Sequence, residues 1–196
     1  MYTLMNKLTQ LYAEMQKSYE QTAELLDFSC RDCPDNCCNS YFLHHTYIEW
    51  AYLRQGFSAL PPEQQAEYLS RATDYRTRSE QALAAGQRPQ IMCPINNSGR
   101  CGLYSHRLLI CRLHGVPASM TFPNGRKRNF PGCFRCQEIT AGRGNTPAMD
   151  RTLFFNKMLQ LERELVGPQM AVLSKVKMTL SDMLLKPLPD SLNNAA

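Results

Sequence analysis

Apolar side chains recur at intervals of three and four residues along the first part of the chain. The series is Leu4, Leu8, Leu11, Met15, Tyr19, Ala23 and Leu26. In an α-helix this spacing brings apolar side chains to one face, so it predicts an amphipathic helix over residues 3–27. We expect that face to pack into the core of the protein.

Two further helices are predicted in the first half of the chain. Apolar and aromatic residues over 46–54 indicate a short one. Pro61 and Pro62 can occupy the first turn of the next, because that turn needs no backbone N–H donors. This helix runs through Leu83 and is expected to end before Gly86.

The last part of the chain, residues 146–186, is also expected to be helical. Thr146-Pro147 is typical of a helix start, and Gly167 is expected to end that helix. Pro168 is then expected to begin a final helix. Residues 187–196 are polar and small at their end, which predicts a flexible tail.

The middle of the chain, residues 90–140, is rich in proline, glycine and cysteine. Phe122-Pro123-Asn124-Gly125 indicates a tight turn that a short hairpin could use. These patterns predict a mainly α fold with little or no β-hairpin. We expect a single domain over 1–186, in which the terminal helices pack around a loop-rich centre at 28–140.

Composition favours a folded protein that lies outside the membrane. The chain has 196 residues, of which 43% are hydrophobic and 20% charged, an ordinary balance for a globular domain. The sequence contains no apolar run near the ~20 residues that cross a bilayer, and its start does not resemble a secretion signal. We therefore expect a cytoplasmic protein without membrane partners.

Cysteine spacing is the strongest chemical signal in the chain. The nine cysteines form two close clusters joined by three single residues: Cys30, Cys33, Cys37 and Cys38; then Cys93, Cys101 and Cys111; then Cys133 and Cys136. A C-x2-C turn can direct two sulfur atoms at one ion, at about 2.3 Å for zinc. Because the cytosol keeps thiols reduced, the pattern predicts metal ligands rather than disulfides.

The pair Cys37-Cys38 leaves two interpretations open. Adjacent side chains diverge, so these two residues either serve two different sites or one of them packs in the core.

The formal charge of +5 counts every thiol as neutral. Four thiolates on a divalent ion contribute about −2, so two such sites would bring the net charge close to zero. The positive charge is therefore weak evidence for a nucleic-acid partner.

The cysteine order resembles that of the YkgJ-type cysteine-cluster family. The segment Gly99-x-Cys101-x2-Tyr104-x2-Arg107-x3-Cys111-Arg112 is similar to the family's second signature, and Cys30 to Cys38 is similar to its opening motif. The interval between Cys33 and Cys37 is one residue longer than usual, and Leu108 replaces a common proline. The resemblance covers residues 30 to about 136.

This resemblance implies a zinc- or iron-chelating domain. One subset of similar proteins, the flagellin lysine-N-methylases, is associated with an iron–sulfur cluster. Sequence spacing alone does not distinguish zinc from iron–sulfur, because both are bound by four thiolates in tetrahedral geometry. Pro34 after Cys33 and Pro94 after Cys93 favour iron–sulfur, with a 4Fe-4S cluster among the candidates, and zinc is the alternative. Tyr104, Arg107 and Arg112 are expected to support the metal ligands rather than bind the metal.

Other polar residues give weaker signals. The four histidines, His44, His45, His106 and His114, are expected to form hydrogen bonds near the cysteines rather than to bind metal, because nine sulfurs suffice for two four-coordinate sites. The basic segment Arg126-Lys127-Arg128 is expected to be a solvated loop tip. No phosphate loop, nucleophile elbow or metalloprotease motif is present in the sequence.

The sequence therefore predicts a non-catalytic protein with one or two thiolate-liganded metal centres. Its role would be structural or would involve carrying electrons or metal, with an unknown protein partner. One alternative is an iron–sulfur-dependent enzyme resembling protein methyltransferases, or an accessory subunit of one. A second is a zinc-stabilised module that binds nucleic acid or protein, of which nucleic-acid binding is the less favoured.

Overall fold

The computed structural model describes residues 2–31, 33 and 37–193, without the side chains of residues 2, 3 and 193. The protein is mainly helical, as the sequence predicts. Its chain forms two compact units, each built from separate stretches of sequence. Unit 1 comprises Asn36–Leu108 and Glu162–Ala196, and unit 2 comprises Tyr2–Asp35 and Leu109–Leu161.

The described residues form eight α-helices and five short strands. The helices are α1 (Tyr2–Leu25), α2 (Tyr47–Ser58), α3 (Pro62–Ala84), α4 (Leu109–Leu113), α5 (Phe134–Thr140), α6 (Thr152–Val166), α7 (Leu180–Leu185) and α8 (Asp190–Asn193). The strands are β1 (Asn96–Asn97), β2 (Arg100–Cys101), β3 (Ala118–Thr121), β4 (Lys127–Phe130) and β5 (Met149–Asp150). The predictions of a helix over 3–27, a short helix near 46–54 and a helix from the Pro61-Pro62 pair are confirmed.

In unit 1, helix α7 packs against both α2 and α3. The apolar core includes Ile48 and Leu53 of α2, Tyr68 of α3 and Met183 of α7, each of which is fully buried. Helix α2 begins at a carboxylate, because Glu162 accepts hydrogen bonds from two backbone N–H groups at its first turn, at 2.9 Å each. These otherwise orphaned donors are thereby satisfied.

In unit 2, helix α1 packs against α4 and β5 through its apolar face. The buried residues of α1 are Met5, Leu8, Leu11, Tyr12, Met15 and Thr22. A three-stranded sheet has the order β4-β3-β5, in which β3 is antiparallel to β4 and parallel to β5. The turn predicted at residues 122–125 joins β3 to β4, so the short hairpin is present, although the strands of the fold are few and short.

The predicted helix start at Thr146-Pro147 is wrong. Residues Met149 and Asp150 form strand β5 instead, because the N–H of Met149 donates to Pro117 O at 2.9 Å and extends the sheet. Helix α6 starts later, where the Asp150 carboxylate accepts hydrogen bonds from the backbone N–H of Thr152 at 2.9 Å and from its hydroxyl at 2.6 Å. The predicted end at Gly167 is confirmed.

The predicted final helix from Pro168 is also wrong for most of its length. A short 3-10 helix, Gly167–Ala171, is followed by non-helical backbone, and α7 begins only after Thr179. Thr179 and Asp182 form a reciprocal capping box at that point, which sets the helix start.

Part of the segment that we expected to be a flexible tail is packed. Helix α8 forms there, and Leu188 and Leu192 are 5% and 1% exposed. Apolar burial of these two leucines fixes the segment up to residue 193. The remaining tail, residues 194–196, lies outside the described residues.

Candidate metal centre

All nine cysteines lie in the described part of the chain, and none of them is in a disulfide. Cys30 and Cys37 are exposed, Cys136 is buried, and the other six are half-buried. The two units divide them: unit 1 contains Cys37, Cys38, Cys93 and Cys101, and unit 2 contains Cys30, Cys33, Cys111, Cys133 and Cys136. The opening cluster of the sequence is therefore split between the units.

In unit 1, consecutive backbone interactions link the segments that carry the four cysteines. The N–H of Cys93 donates to Cys38 O at 2.9 Å, and the N–H of Asn96 donates to Cys93 O at 3.0 Å. Asn96 in turn lies opposite Cys101 in the β1–β2 hairpin. Paired residues in such a hairpin have Cα atoms about 5 Å apart, so these cysteines share one small region of unit 1.

The Cys38 thiol of unit 1 is more acidic than an ordinary cysteine. Its pKa is lowered to about 6, chiefly because the Cys37 thiol donates a hydrogen bond to its sulfur. Partial burial opposes this decrease, while the Asn96 side chain and the positive charge of Arg107 add to it. The Cys37 thiol therefore acts on the Cys38 sulfur within unit 1.

Helix α3 holds the hairpin that carries Cys101. The Arg71 guanidinium donates to Asn96 O at 2.9 Å, and the Asn97 side-chain amide donates to the Tyr68 hydroxyl at 2.7 Å. Gly102 follows the hairpin, and a Cβ at this position would overlap the Tyr68 hydroxyl oxygen. Only a glycine allows the backbone after Cys101 to lie so close to α3.

In unit 2, the C-x2-C segment of α5 adjoins the loop of Cys30 and Cys33. Cys133 is the N-cap of α5 and Cys136 lies in its first turn. The Arg135 guanidinium donates to Arg31 O at 3.1 Å and so joins α5 to the loop. Cys111 is the fifth cysteine of the unit and lies on α4.

In unit 2, the Cys133 and Cys136 thiols are less acidic than the Cys38 thiol. Burial raises the pKa of Cys136 to about 11, and the charges of Cys133 and Cys30 add to the increase. Burial also raises the pKa of Cys133, and the charges of Cys30 and Cys33 contribute. Backbone N–H groups of Cys136 and Arg135 act in the opposite direction. These effects show that the four thiols are electrostatic neighbours.

The close approach of two loops positions Cys133. Its N–H donates to Gly115 O at 2.8 Å, next to Gly132, which has a φ of +88°. A Cβ at residue 132 would lie 2.5 Å from the same Gly115 oxygen. Glycine is therefore required at position 132 for both its conformation and the space.

The predicted supporting residues occupy different units. Arg107 lies over the ring of Tyr104, with its guanidinium carbon 3.9 Å from the ring centroid, and its charge acts on Cys38 in unit 1. Arg112 lies over the Tyr12 ring at 4.2 Å in unit 2, next to Cys111 in sequence. Tyr104 is 61% exposed, so it offers an aromatic surface near the unit 1 thiols.

The histidines have structural partners. Buried His44 pairs through its backbone with Met178, with N···O distances of 2.7 and 3.1 Å. Its neighbour His45 contacts Val176 O through Nδ1 at 3.3 Å. His106 lies against the Tyr52 ring at 4.6 Å between centroids. These contacts are consistent with hydrogen-bonding and packing roles.

The basic segment has local partners as well. Arg128 lies over the Phe130 ring, with its guanidinium carbon 5.3 Å from the ring centroid. The pKa of Asp150 is lowered mainly by hydrogen bonds from Thr152, and the charge of Lys127 adds to this decrease. Arg126 is exposed at the turn.

Sequence reasoning missed Asn96, Tyr68 and the two glycines that position cysteines, Gly102 and Gly132. Asn96-Asn97-Ser98-Gly99 carries the signal of a two-residue hairpin turn, and Ser98 and Gly99 both have positive φ values, 48° and 87°. That signal could have predicted the hairpin beside Cys101. Tyr68 gives no such signal, because its role depends on a contact that is distant in sequence.

The donor set suits a thiophilic metal, but the sulfur atoms are not assembled around one. Among the described residues, no three His, Cys, Asp or Glu side chains are close enough together to form a metal-binding group. Binding would therefore have to draw the sulfur atoms of a unit together. Four thiols in unit 1 and five in unit 2 provide enough ligands for a four-coordinate ion or cluster in each.

No family model, curated protein or solved structure was found to match this chain. The resemblance to the YkgJ-type family therefore stays a prediction from the sequence motifs. None of the described helices is long and apolar enough to cross a membrane.

Proposed function

We propose that this protein binds metal through its cysteine thiolates, in one or two centres, and has a structural or an electron- or metal-carrying role. The observation that carries the proposal is the linked framework in unit 1. Residues that lie far apart in sequence bring Cys38, Cys93 and Cys101 into one region through successive backbone hydrogen bonds. Cysteines that serve only as small apolar side chains are usually buried in the core. Cys38, Cys93 and Cys101 are only half-buried, which favours a role as metal ligands.

Hydrogen-bond donors near the thiols also support this proposal. The Cys37 thiol, the Asn96 amide and the Arg107 charge all favour the thiolate form of Cys38. Thiolates are the forms that bind zinc and iron, and nearby donors and charges stabilise them. An iron–sulfur centre is favoured over zinc because prolines follow Cys33 and Cys93, as in bacterial ferredoxin motifs. We place the protein in the cytoplasm, where its thiols stay reduced.

Metal binding should also organise the loops. The free energy of structural zinc binding is on the order of 10 kcal/mol, which is comparable to the stability of a whole domain. Drawing the sulfurs of unit 1 around an ion would restrain the short 3-10 helix Cys37–Asn39 and the hairpin of Cys101 together. The metal-bound protein should therefore resist proteases better than the metal-free protein.

Replacement of one hairpin thiol tests the proposal. Cys101→Ser should lower the metal retained after dialysis and increase the rate of proteolysis, because serine is a poor ligand for soft metals. Arg100→Gln is the matched control, since Arg100 is the exposed neighbour of Cys101 in the same strand. Unchanged metal content and protease resistance in Cys101→Ser would remove Cys101 from the proposed ligands.

A further inference from the structure

We infer that the chain holds two separate thiolate centres, one in each unit, rather than a single centre shared by all the cysteines. This inference rests on the proposed metal-binding function and adds the number and membership of the sites. One centre uses Cys37, Cys38, Cys93 and Cys101 of unit 1. The other takes its ligands from the five cysteines of unit 2: Cys30, Cys33, Cys111, Cys133 and Cys136.

The unit 1 set is defined by two antiparallel contacts of the chain. Ser40 and Gln90 form a β-bridge, and Cys93 donates its N–H to Cys38 O, so the segments 37–40 and 90–93 run side by side. The hairpin then brings Cys101 opposite Asn96, whose side chain also interacts with the Cys38 sulfur. All four thiols are thus attached to one framework within unit 1.

The unit 2 set has its own framework. The N-terminal end of α5 carries Cys133 and Cys136, and the hydrogen bond from Arg135 to Arg31 O links it to the loop between Cys30 and Cys33. That loop is itself turned back by the Cys33 N–H, which donates to Cys30 O at 3.4 Å. The linked groups come from residues 30–33 and 133–136, which are about 100 residues apart in sequence but belong to one unit.

This division does not follow the sequence motif. By spacing alone, Cys30, Cys33, Cys37 and Cys38 form one cluster and would be expected to share an ion. Cys30 and Cys33 belong to unit 2 and Cys37 and Cys38 to unit 1, and each pair has cysteine partners from later in the chain within its own unit. Four thiols in one unit and five in the other supply the eight ligands that two four-coordinate sites need, with one thiol of unit 2 left over.

Zinc binding to the full-length protein tests the inference. Zinc alone is a suitable probe, because all-thiolate tetrahedral sites accept zinc as well as iron. Two double variants are compared with the wild type: Cys38→Ser with Cys93→Ser in unit 1, and Cys133→Ser with Cys136→Ser in unit 2. Each leaves too few thiols in its unit for four-thiolate ligation and serves as the control for the other. Zinc per chain is measured after gel filtration, and the thiols protected from N-ethylmaleimide are mapped by mass spectrometry.

We expect two zinc ions per wild-type chain, and half of that content in each double variant. The intact unit should keep its thiols protected, and the altered unit should lose protection. Loss of all zinc from either variant, or loss of protection in both units, would overturn the inference. If a variant does not fold, wild-type protein loaded with less than one equivalent of zinc is mapped instead. If the thiols protected from N-ethylmaleimide together belong to one unit, two centres are supported. If thiols of both units become protected together as one set, the inference is refuted.

The same data separate the two proposals. A wild-type chain that binds one zinc through thiols of both units would contradict the inference and leave the metal-binding function standing. A wild-type chain that binds no metal and whose nine thiols all react would contradict the proposed function itself.

Discussion

The contact between Gly102 and Tyr68 gives a sharp test of how Cys101 is positioned. Tyr68 is fully buried, and its hydroxyl oxygen accepts hydrogen bonds from Gln64 at 2.8 Å and from Asn97 at 2.7 Å. A Cβ on residue 102 would overlap that oxygen, and it would lie 2.9 Å from the ring carbon Cζ and 3.1 Å from Ile95 O. Gly102→Ala therefore forces either the Tyr68 ring or the hairpin to move.

The cost has two parts. Overpacking of a filled site costs typically about 1–3 kcal/mol. Displacement of the hydroxyl would also weaken two hydrogen bonds, worth about 0.5–1.5 kcal/mol each. We expect Gly102→Ala to lower the free energy of unfolding by about 2–6 kcal/mol and to lower the retained metal, because Cys101 precedes the altered residue.

Urea unfolding of the metal-free protein measures the first effect, and metal content after dialysis measures the second. Gly144→Ala is the control, since a Cβ there meets no atom within 4 Å. Tyr68→Phe combined with Gly102→Ala should recover part of the stability, because it removes the overlapping oxygen. A Gly102→Ala protein that unfolds at the wild-type urea concentration and keeps its metal would refute the reasoning.

Three further predictions concern the stability of unit 1. His44 is buried and its pKa is lowered to about 3, mainly by burial and also by the charge of His45. Because the unfolded histidine binds its proton near pH 6.5, the free energy of unfolding should fall by about 1.4 kcal/mol per pH unit as the pH drops from about 6 to 4. His44→Leu should reduce this dependence of the unfolding free energy on pH, measured by urea titrations at several pH values. An unchanged dependence would contradict the role assigned to His44. Glu162→Ala removes the carboxylate that satisfies the first N–H groups of α2, and should cost about 1–3 kcal/mol in urea unfolding. Thr179→Ala removes the cap of α7 and should cost about 1 kcal/mol by the same measurement, with no loss in either protein contradicting the assigned role.

The long helices were predictable because their stability depends on local periodicity. The apolar face of α1 and the proline pair before α3 are complete signals within a short window of sequence. The later helix starts depended on single polar residues. Asp150 accepts a hydrogen bond at the start of α6, and Thr179 caps α7. Thr179 and Asp182 have the spacing of a capping box, but the apolar residues around them favour a longer helix from the sequence alone.

The sequence identifies the cysteines of the candidate site, but it does not predict their arrangement in the fold. The number and spacing of the cysteines indicate metal binding without any fold. Their division between two units could not be predicted, because the Cys38–Cys93 hydrogen bond and the effect of the Cys30 charge on the pKa of Cys133 both depend on tertiary contacts. The same reason hides Tyr68, whose hydroxyl supports the hairpin across about 30 residues of sequence.

Metal analysis of the full-length protein, purified without oxygen, tests the central claim most directly. Zinc, iron and acid-labile sulfide are measured per chain, and a visible absorption spectrum is recorded on the same sample. We predict a stoichiometric thiolate-bound metal, with iron, sulfide and broad visible absorption if the favoured iron–sulfur centre is present. Stoichiometric zinc in a colourless sample would keep the metal-binding claim and contradict the preference for iron–sulfur. A folded protein without metal, which takes up neither zinc nor iron with sulfide, would contradict the claim.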